Sequence, residues 1–519
     1  MGNLYSRRGV LKAGIAGAAI VSAGSLLAAC SSSGSDSESG GKPSRGGTLR
    51  IGVSGGGATD TLDPNALISL PDYLRASPLY SALVDRGPDF APRFRLVESA
   101  EPNTDATEWV LRLRQGVEFH NGKAVTADDL LSSLRRIWNP KKPGLGASKL
   151  PVDVDGLKKL DNLSVRLRLA RPVSVAPELL GSSLIYVVPE DFDPARPIGA
   201  GPFKFQSLKP GDRSVFVRHE NYWDQVPYLD GVEIIDFKDS TALVNALQSD
   251  QIDAVADVTK ADSRILEAAG MTTIVTPKRS FVPITMRADK PPFDDPRVRE
   301  AFRLGVDRKG MITQAYSGAA TIGNDLYAAY DPLYAADIPQ RERDVERAKS
   351  LLVEAGQEGL TMEFVTGPGG VGWVEVAEVF CEQLKDIGVD LKLRTVDADT
   401  LFSKYYGVAP IGIDNWPNWS YLAISSEAVA PGAPYDTTGQ GDKEYDAIYA
   451  DVMKTLDEKK RAGLVHRLQA IQHERGGYII PCHRDGLECV NPRVRGLKSN
   501  TQTTGPFNNM AFESVYLGD

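Results

Sequence analysis

At residues 96–130 the chain carries the run Leu96-Val-Glu-Ser-Ala-Glu-Pro-Asn-Thr-Asp-Ala-Thr-Glu-Trp-Val-Leu-Arg-Leu-Arg-Gln-Gly-Val-Glu-Phe-His-Asn-Gly-Lys-Ala-Val-Thr-Ala-Asp-Asp-Leu130. Apolar and polar residues alternate over 108–114, which is typical of a half-buried strand, and 117–120 predicts a second short strand. Asn121-Gly122 then indicates a tight turn. Thr126 is placed to cap a helix whose apolar residues recur at helical spacing through Trp138. This run predicts a β-rich unit followed by a helix.

Beyond residue 295 the pattern changes to alternating helices and strands. Asp295 can cap a helix that has Pro296 in its first turn. Residues 361–366 and 390–396 have strand patterns, and a helical pattern at 373–387 separates them. Because the connections are short, this order favours a parallel sheet and an α/β lobe.

Composition excludes several classes of protein. The chain has 519 residues, of which 42% are hydrophobic and 24% are charged, so it is not disordered, collagenous or a polytopic membrane protein. Its formal charge is -9, without a basic block, which argues against nucleic acid as a partner. Four cysteines are too few for a disulfide-framework scaffold.

The first residues predict export rather than structure. Arg7-Arg8 precedes an apolar run at 13–29 that is rich in Ala and Gly and short for a membrane span, which leaves an uncleaved anchor helix as the less favoured alternative. The paired arginines resemble a Tat signal, and Leu-Ala-Ala-Cys30 resembles a lipobox, which implies cleavage after residue 29 and lipidation of Cys30. Residues 30–47 form a Ser/Gly-rich tether that could reach about 20–25 Å as a flexible coil.

An aromatic segment in the second half is the best candidate for ligand binding. Asp414, Asn415, Trp416 and Trp419 lie close together in the sequence, and Tyr406 precedes them. Aromatic faces beside a carboxylate suit an apolar pocket with a few orienting polar groups, and Asp414 could meet a ligand cation. The alternative is a loop that the two tryptophans pin to the core. In that case replacing them would destabilise the unliganded protein.

A second candidate is Gly367-Pro-Gly-Gly-Val-Gly372, which matches G-x-G-x-x-G between a predicted strand and helix. Asp397, at the end of the next strand, lies where a ribose-binding acid would be expected. Pro368, however, removes one backbone N–H that would face a pyrophosphate. A plain turn is therefore favoured, and an exported dinucleotide-dependent enzyme remains an alternative.

The remaining motifs predict no catalytic or metal site. The histidines lack metal-ligand spacing, and Cys482 and Cys489 lie farther apart than a zinc-binding pair. In an oxidising compartment, a local disulfide between Cys482 and Cys489 across a short turn is the simplest prediction. We expect no metal and no cofactor.

Several segments together resemble the family 5 extracellular solute-binding proteins of ABC importers, the peptide/nickel group. The run at 96–130 closely follows that family's signature. Further collinear matches include Thr61-Leu-Asp-Pro64, Gly199-Ala-Gly-Pro-Phe203 and Pro291-Pro-Phe-Asp-Asp-Pro-Arg-Val-Arg299. They cover nearly the whole mature chain.

The resemblance implies an α/β, two-lobed clamshell of the periplasmic-binding type, class II and of the large peptide-binding kind, with an extra β-rich subdomain. Lobe I would comprise 48–85, 197–285 and 479–519, the subdomain 86–196, and lobe II 286–478. In peptide-binding members an aspartate in an aromatic segment of lobe II binds the ligand's α-amino group. The matching position here is Asp414 or Asn415.

The resemblance also implies the function. We expect a non-enzymatic, monomeric binding protein, held by its lipid on the outer face of the cell membrane. It would capture a solute, an oligopeptide by preference, in the interlobe cleft and deliver it to ABC permease subunits. A ligand-sensing scaffold of the same fold is a further alternative.

Overall fold

The computed structural model describes residues 43–67, 69–87, 91–181, 185–500, 503 and 505–518. The predicted signal peptide, Cys30 and most of the tether lie outside these ranges. Within the ranges, none of the helices combines the length and the apolar character needed to cross a bilayer.

The largest sheet in the described part of the chain has nine strands in the order β18-β12-β20-β11-β1-β10-β9-β8, with β14 also paired to β20. Its strands are β1 Thr48–Ser54, β8 Phe203–Lys209, β9 Arg213–Arg218, β10 Gly231–Phe237, β11 Ala254–Val255, β12 Thr272–Phe281, β14 Ala320–Ile322, β18 Trp416–Pro417 and β20 Cys482–Val490. β1 runs parallel to both β10 and β11, whereas β12 and β20 are antiparallel.

The other strands of the described residues form smaller sheets. One has four strands in the order β4-β5-β7-β6, one has three in the order β17-β13-β19, and the rest form three two-stranded pairs. These strands are β2 Val84–Arg86, β3 Pro92–Phe94, β4 Val97–Pro102, β5 Glu108–Leu113, β6 Lys158–Lys159, β7 Ser164–Arg168, β13 Ile284–Met286, β15 Thr361–Thr366, β16 Asp390–Thr395, β17 Ile411–Ile413, β19 Tyr478–Ile479, β21 Val494–Arg495 and β22 Tyr516–Leu517. The parallel pairing of β15 with β16 confirms the predicted strand–helix–strand unit.

The principal helices are α1 Leu70–Leu79, α2 Ala127–Ile137, α3 Ala176–Gly181, α4 Ser240–Gln248, α5 Lys260–Ala268, α6 Pro296–Gly305, α7 Arg308–Tyr316, α8 Val345–Glu354, α9 Trp373–Leu384, α10 Ala398–Thr400, α11 Tyr421–Ala428, α12 Lys443–Lys454 and α13 Glu458–Arg475. Two of these helices, α2 and α6, begin directly after the predicted caps Thr126 and Asp295. The carboxylate of Asp129 accepts hydrogen bonds from the backbone N–H and the hydroxyl of Thr126 at 3.0 and 2.8 Å, and Asp295 accepts one from the backbone of Arg297. Local sequence therefore fixes where these helices begin.

The predicted disulfide is wrong. Cys482 and Cys489 lie at opposite ends of the single strand β20, and both are buried free thiols. A strand advances about 3.3 Å per residue, so seven residues separate the two Cα atoms by roughly 23 Å. A disulfide requires a Cα separation below about 7 Å. The expected turn is absent because the segment is one continuous strand that pairs with β12 on both sides of a bulge.

One strand prediction also changes. Residues 117–120 do not form a strand, since only the isolated bridge between Glu118 and Ala124 is present there. The Asn121-Gly122 turn folds this segment back on residues 123–125, and the Phe119 N–H donates to the Lys123 carbonyl at 2.8 Å.

The four-stranded sheet lies wholly within the segment predicted as an inserted subdomain, 86–196. Its apolar side does not form a separate core, because Leu111, Leu130 and Leu167 belong to the same buried cluster as residues of α11, α12 and α13. The backbone N–H of Ser174 also donates to the carbonyl of Met453 at 2.7 Å. This segment is therefore packed directly against the C-terminal helices.

Candidate ligand-binding cavity

A cavity of about 520 Å³ lies where segments assigned by sequence to both lobes and to the insert meet. That volume is within the usual range of small-molecule sites. Its wall is largely aromatic, formed by Tyr73, Trp373, Phe402, Tyr406, Trp416, Trp419 and Tyr435. Charged side chains are few on this wall, namely Arg86, Lys149, Asp414 and Glu427. The lining thus combines apolar surface with a small number of orienting groups.

All five residues that the sequence nominated for ligand contact line this one cavity: Tyr406, Asp414, Asn415, Trp416 and Trp419. Two short strands position Asp414, Asn415 and Trp416. β17 pairs with β13 in the three-stranded sheet, and β18 pairs with β12 in the nine-stranded sheet. Asp414 and Asn415 form the two-residue link between β17 and β18, so their backbone is fixed from both ends.

The side chains of Asp414 and Asn415 differ in environment. Asp414 is 3% exposed, whereas Asn415 is exposed. The Asp414 carboxylate accepts hydrogen bonds at Oδ1 from the Tyr406 hydroxyl at 3.0 Å and the Asn415 backbone at 2.8 Å. At Oδ2 it accepts from Trp416 Nε1 at 2.8 Å and from the Thr437 hydroxyl at 3.4 Å. Of the two candidate positions, Asp414 is the one built into the wall.

The charge of Asp414 is not balanced by a cation. Its four hydrogen-bond donors are all neutral groups, and no salt bridge to it occurs among the residues that the structure describes. Burial raises the pKa of Asp414 to about 6, although these donors oppose the rise. Near neutral pH the cavity therefore presents a buried negative charge that an added cation would stabilise.

The two tryptophans play different parts in the wall. Trp416 is 5% exposed and belongs to a large buried cluster, and its indole N–H is held by Asp414. Trp419 is only partly buried and lies beside it, with 6.3 Å between the ring centroids. Trp416 is thus both a core residue and a cavity residue, which the sequence had offered as alternatives.

An ion pair that sequence analysis missed also lies on the wall, beside Trp419. Lys149 Nζ is 2.5 Å from Glu427 Oε2, and both side chains are almost fully buried. Ser148 donates a hydrogen bond of 2.7 Å to the other Glu427 oxygen, while the lysine ammonium lies 4.0 Å above the Trp419 ring. Burial lowers the pKa of Lys149 to about 8, and Glu427 opposes the change. The pair joins the segment before Leu150 to α11.

Of the two residues in this pair, Glu427 could have been recognised from the sequence as a buried charge. Glu427 is the only charged residue of α11, Tyr-Leu-Ala-Ile-Ser-Ser-Glu-Ala, and a lone acid in an otherwise apolar or small-residue helix indicates a buried, partnered charge. Lys149 has no comparable signal, because it is distant in sequence and lies in an irregular segment. Pairing over 278 residues can be recognised only from the fold.

The glycine-rich loop at 367–372 also reaches the cavity, but its geometry does not suit a pyrophosphate. A Cβ at Gly369 would lie 2.4 Å from the indole of Trp373, so this glycine is needed to pack against the chain's own aromatic ring. Asp397 caps α10 by accepting hydrogen bonds from the backbone and hydroxyl of Thr400. Both features are accounted for without a dinucleotide.

Comparison with known proteins gives a consistent result. Residues 91–426 match the model of the bacterial extracellular solute-binding proteins, family 5 Middle. The chain is 27% identical over 471 residues to heme-binding protein A of Haemophilus influenzae, covering 81% of this chain and 83% of that protein. It is 29% identical over 436 residues to oligopeptide-binding protein AppA of Bacillus subtilis, covering 77% of each.

The fold is similar to that of the ABC transporter substrate-binding protein CtaP of Listeria monocytogenes. The TM-score is 0.79 at 21% identity, over 92% of this chain and all of the other. The family model spans well over half of the chain and includes the run at 96–130 and the aromatic segment around Asp414. The chain therefore belongs to the bacterial extracellular solute-binding proteins of family 5, with their two-lobed α/β fold.

Proposed function

We propose that this protein captures a short peptide in the aromatic cavity and delivers it to the permease of an ABC importer. The observation that carries the proposal is the buried Asp414 carboxylate, which has neutral partners only and faces an aromatic wall. A peptide N-terminus supplies the missing positive charge, and its side chains suit the apolar surface. The oligopeptide-binding name of the Bacillus relative supports the same class of ligand.

The position of the cavity supports capture by closure. Tyr73 on α1 and Lys149 approach it from segments predicted as lobe I and the insert, whereas Asp414 and Trp419 approach it from the predicted lobe II. A ligand that contacts both sides binds the closed state better than the open state, and this difference shifts the equilibrium toward closure. No bond need be made or broken in this cycle.

The proposal includes the site of action. Cys30 would carry the lipid, residues 31–47 would form the tether, and the body would work as a monomer outside the membrane. The extracellular character of the family supports this arrangement. Labelled fatty acid should be incorporated into the wild-type chain and not into Cys30→Ala.

Ligand class is tested by thermal shift with equimolar tripeptide pools, beside sugars, nickel–histidine chelates and heme. Tripeptides should raise the melting temperature, since a bound ligand stabilises by RT ln(1 + [L]/Kd). The same pools with acetylated N-termini should not. Stabilisation by heme or a chelate without any effect of peptides would refute the proposal, and so would bound nicotinamide or flavin in the purified protein.

A further inference from the structure

Next to Asp414 the cavity contains three aromatic rings that the capture of an amine does not require. Phe402 lies 5.9 Å from Trp373 and 5.5 Å from Tyr406, measured between ring centroids, and both pairs are tilted. All three residues line the cavity. We call this set, Trp373, Phe402 and Tyr406, the aromatic slot.

Phe402 is unusual for a phenylalanine. It is 50% exposed although it borders the cavity, whereas Trp373 is 2% exposed. The backbone that presents Phe402 is a π-helical turn, Leu401–Tyr405. π-Helical turns are rare, and those that do occur are often at functional sites. An exposed apolar ring at a cavity edge leaves a contact surface that a ligand can cover.

The back of the slot is held by close packing. Gly369 presents its backbone to the Trp373 indole, where a Cβ would come within 2.4 Å of the ring. The indole is therefore fixed against the loop at 367–372. Phe402, by contrast, has open solvent on much of its surface. The rings contact one another, so the slot has Trp373 as its buried back and Phe402 as the accessible surface on which a ligand ring can stack.

The position of the slot relative to Asp414 follows from Tyr406. The hydroxyl of Tyr406 donates to Asp414 Oδ1 at 3.0 Å, and its ring is the neighbour of Phe402. A peptide amine and the Cα that bears the first side chain are about 1.5 Å apart. With the amine at Asp414 Oδ1, the oxygen that also accepts from Tyr406, the first side chain lies within reach of the Tyr406 ring.

From this geometry we infer that the aromatic slot receives the side chain of the ligand's N-terminal residue and selects for an aromatic one. The inference rests on the proposed peptide function and names the substrate class within it. Aromatic rings tilted at 4.5–7 Å attract a further ring through edge-to-face contact, in addition to apolar burial.

Isothermal titration calorimetry with three isomeric tripeptides, Phe-Ala-Ala, Ala-Phe-Ala and Ala-Ala-Phe, tests the inference. The three have the same composition, so any difference in affinity reports the position of the phenylalanine. Phe-Ala-Ala should bind about ten-fold or more tightly than either isomer, since burial of a phenyl ring changes affinity by about one to two orders of magnitude. Acetylation of Phe-Ala-Ala should remove the preference, because the amine sets the register.

The variant Phe402→Ala should reduce the preference to about three-fold or less and leave the melting temperature of the unliganded protein unchanged, because the ring is half exposed. Val408→Ala is the matched control, since Val408 is 57% exposed, close in sequence and not on the cavity wall. It should keep the full preference.

Equal affinity for the three isomers would refute the inference and leave the proposed peptide function intact. An equal loss of affinity for all three in Phe402→Ala would do the same. Retention of the preference by acetyl-Phe-Ala-Ala would also refute the inference. If none of the isomers and no tripeptide pool binds, the proposed function itself fails.

Discussion

Replacing Asp414 with asparagine should remove a pH-dependent loss of stability from the unliganded protein and abolish its binding of peptide amines. The wild-type carboxylate is buried and charged, and its hydrogen-bond partners are neutral. Asparagine has nearly the same shape and no charge, but its amide nitrogen cannot accept a hydrogen bond, so either Trp416 Nε1 or the Asn415 backbone N–H loses its acceptor. That cost is the same at every pH, whereas the penalty for the buried charge, which the variant lacks, depends on pH.

The magnitude follows from the pKa. Burial raises the pKa of Asp414 to about 6, against about 3.9 in an unfolded chain. Each unit corresponds to about 1.4 kcal/mol, so the charged form lowers the free energy of unfolding by roughly 3 kcal/mol at pH 7. The native state binds the extra proton between about pH 4 and 6, so this contribution makes stability fall as pH rises through that window. Below about pH 4 the effect disappears.

Chemical denaturation in urea at pH 7 and pH 4 tests this reasoning. The free energy of unfolding of Asp414→Asn minus that of wild type should be about 2–3 kcal/mol larger at pH 7 than at pH 4. The control Asp337→Asn removes a surface carboxylate whose side chain is 74% exposed and should change stability little at either pH. A variant that is less stable than wild type at pH 7, with the same difference at pH 4, would refute the view that Asp414 is a strained charge and make it a structural acceptor.

Three other perturbations probe the wall and the core. Lys149→Met should lower the free energy of unfolding in urea by about 3–5 kcal/mol, because it leaves the Glu427 charge buried without its cation. Adding Glu427→Leu should recover most of that loss. Equal stability of the single and double variants would contradict this reasoning. Trp416→Ala should cost about 3–5 kcal/mol even without ligand, since the ring is 5% exposed, and an unchanged melting temperature would show that it serves the ligand alone. Cys482 and Cys489 should both be alkylated in denaturant without reductant and resist alkylation when native, and a mass consistent with a bridge would reinstate the disulfide.

Much of the fold was predictable because it depends on local signals. β15 matches the predicted strand at 361–366, and α6 begins at Pro296 after the Asp295 cap. The predicted disulfide failed for the opposite reason. The prediction placed a short turn between Cys482 and Cys489, but Gly486 in that interval lies in β20 and faces the Arg279 side chain, where a Cβ would lie 2.3 Å from the guanidinium. A glycine required by a long-range neighbour has the same sequence signature as a glycine in a turn.

The residues of the cavity likewise include some that sequence could group and others that it could not. Tyr406, Asp414 and Trp416 are close in sequence, and a composition argument was enough to group them. Lys149 and Glu427 could not be paired from sequence, because the charge balance of a buried group depends on neighbours that the fold brings together. The family resemblance supplied the cleft, but it did not separate Asp414 from Asn415, and only the burial of Asp414 does so.

The saturation of Asp414 by its own donors bears on specificity. Its four hydrogen bonds come from neutral groups, and Thr437, whose bond of 3.4 Å is the longest, is buried and does not line the cavity. A ligand ammonium at Oδ1 adds the first charge-assisted hydrogen bond to this carboxylate and returns the pKa of Asp414 toward its ordinary value. The roughly 3 kcal/mol by which the charge weakens the unliganded state then favours cationic over acetylated ligands by on the order of 100-fold. Thr437→Val should therefore preserve this discrimination, as measured by titration with free and acetylated peptides, whereas Asp414→Asn should abolish it.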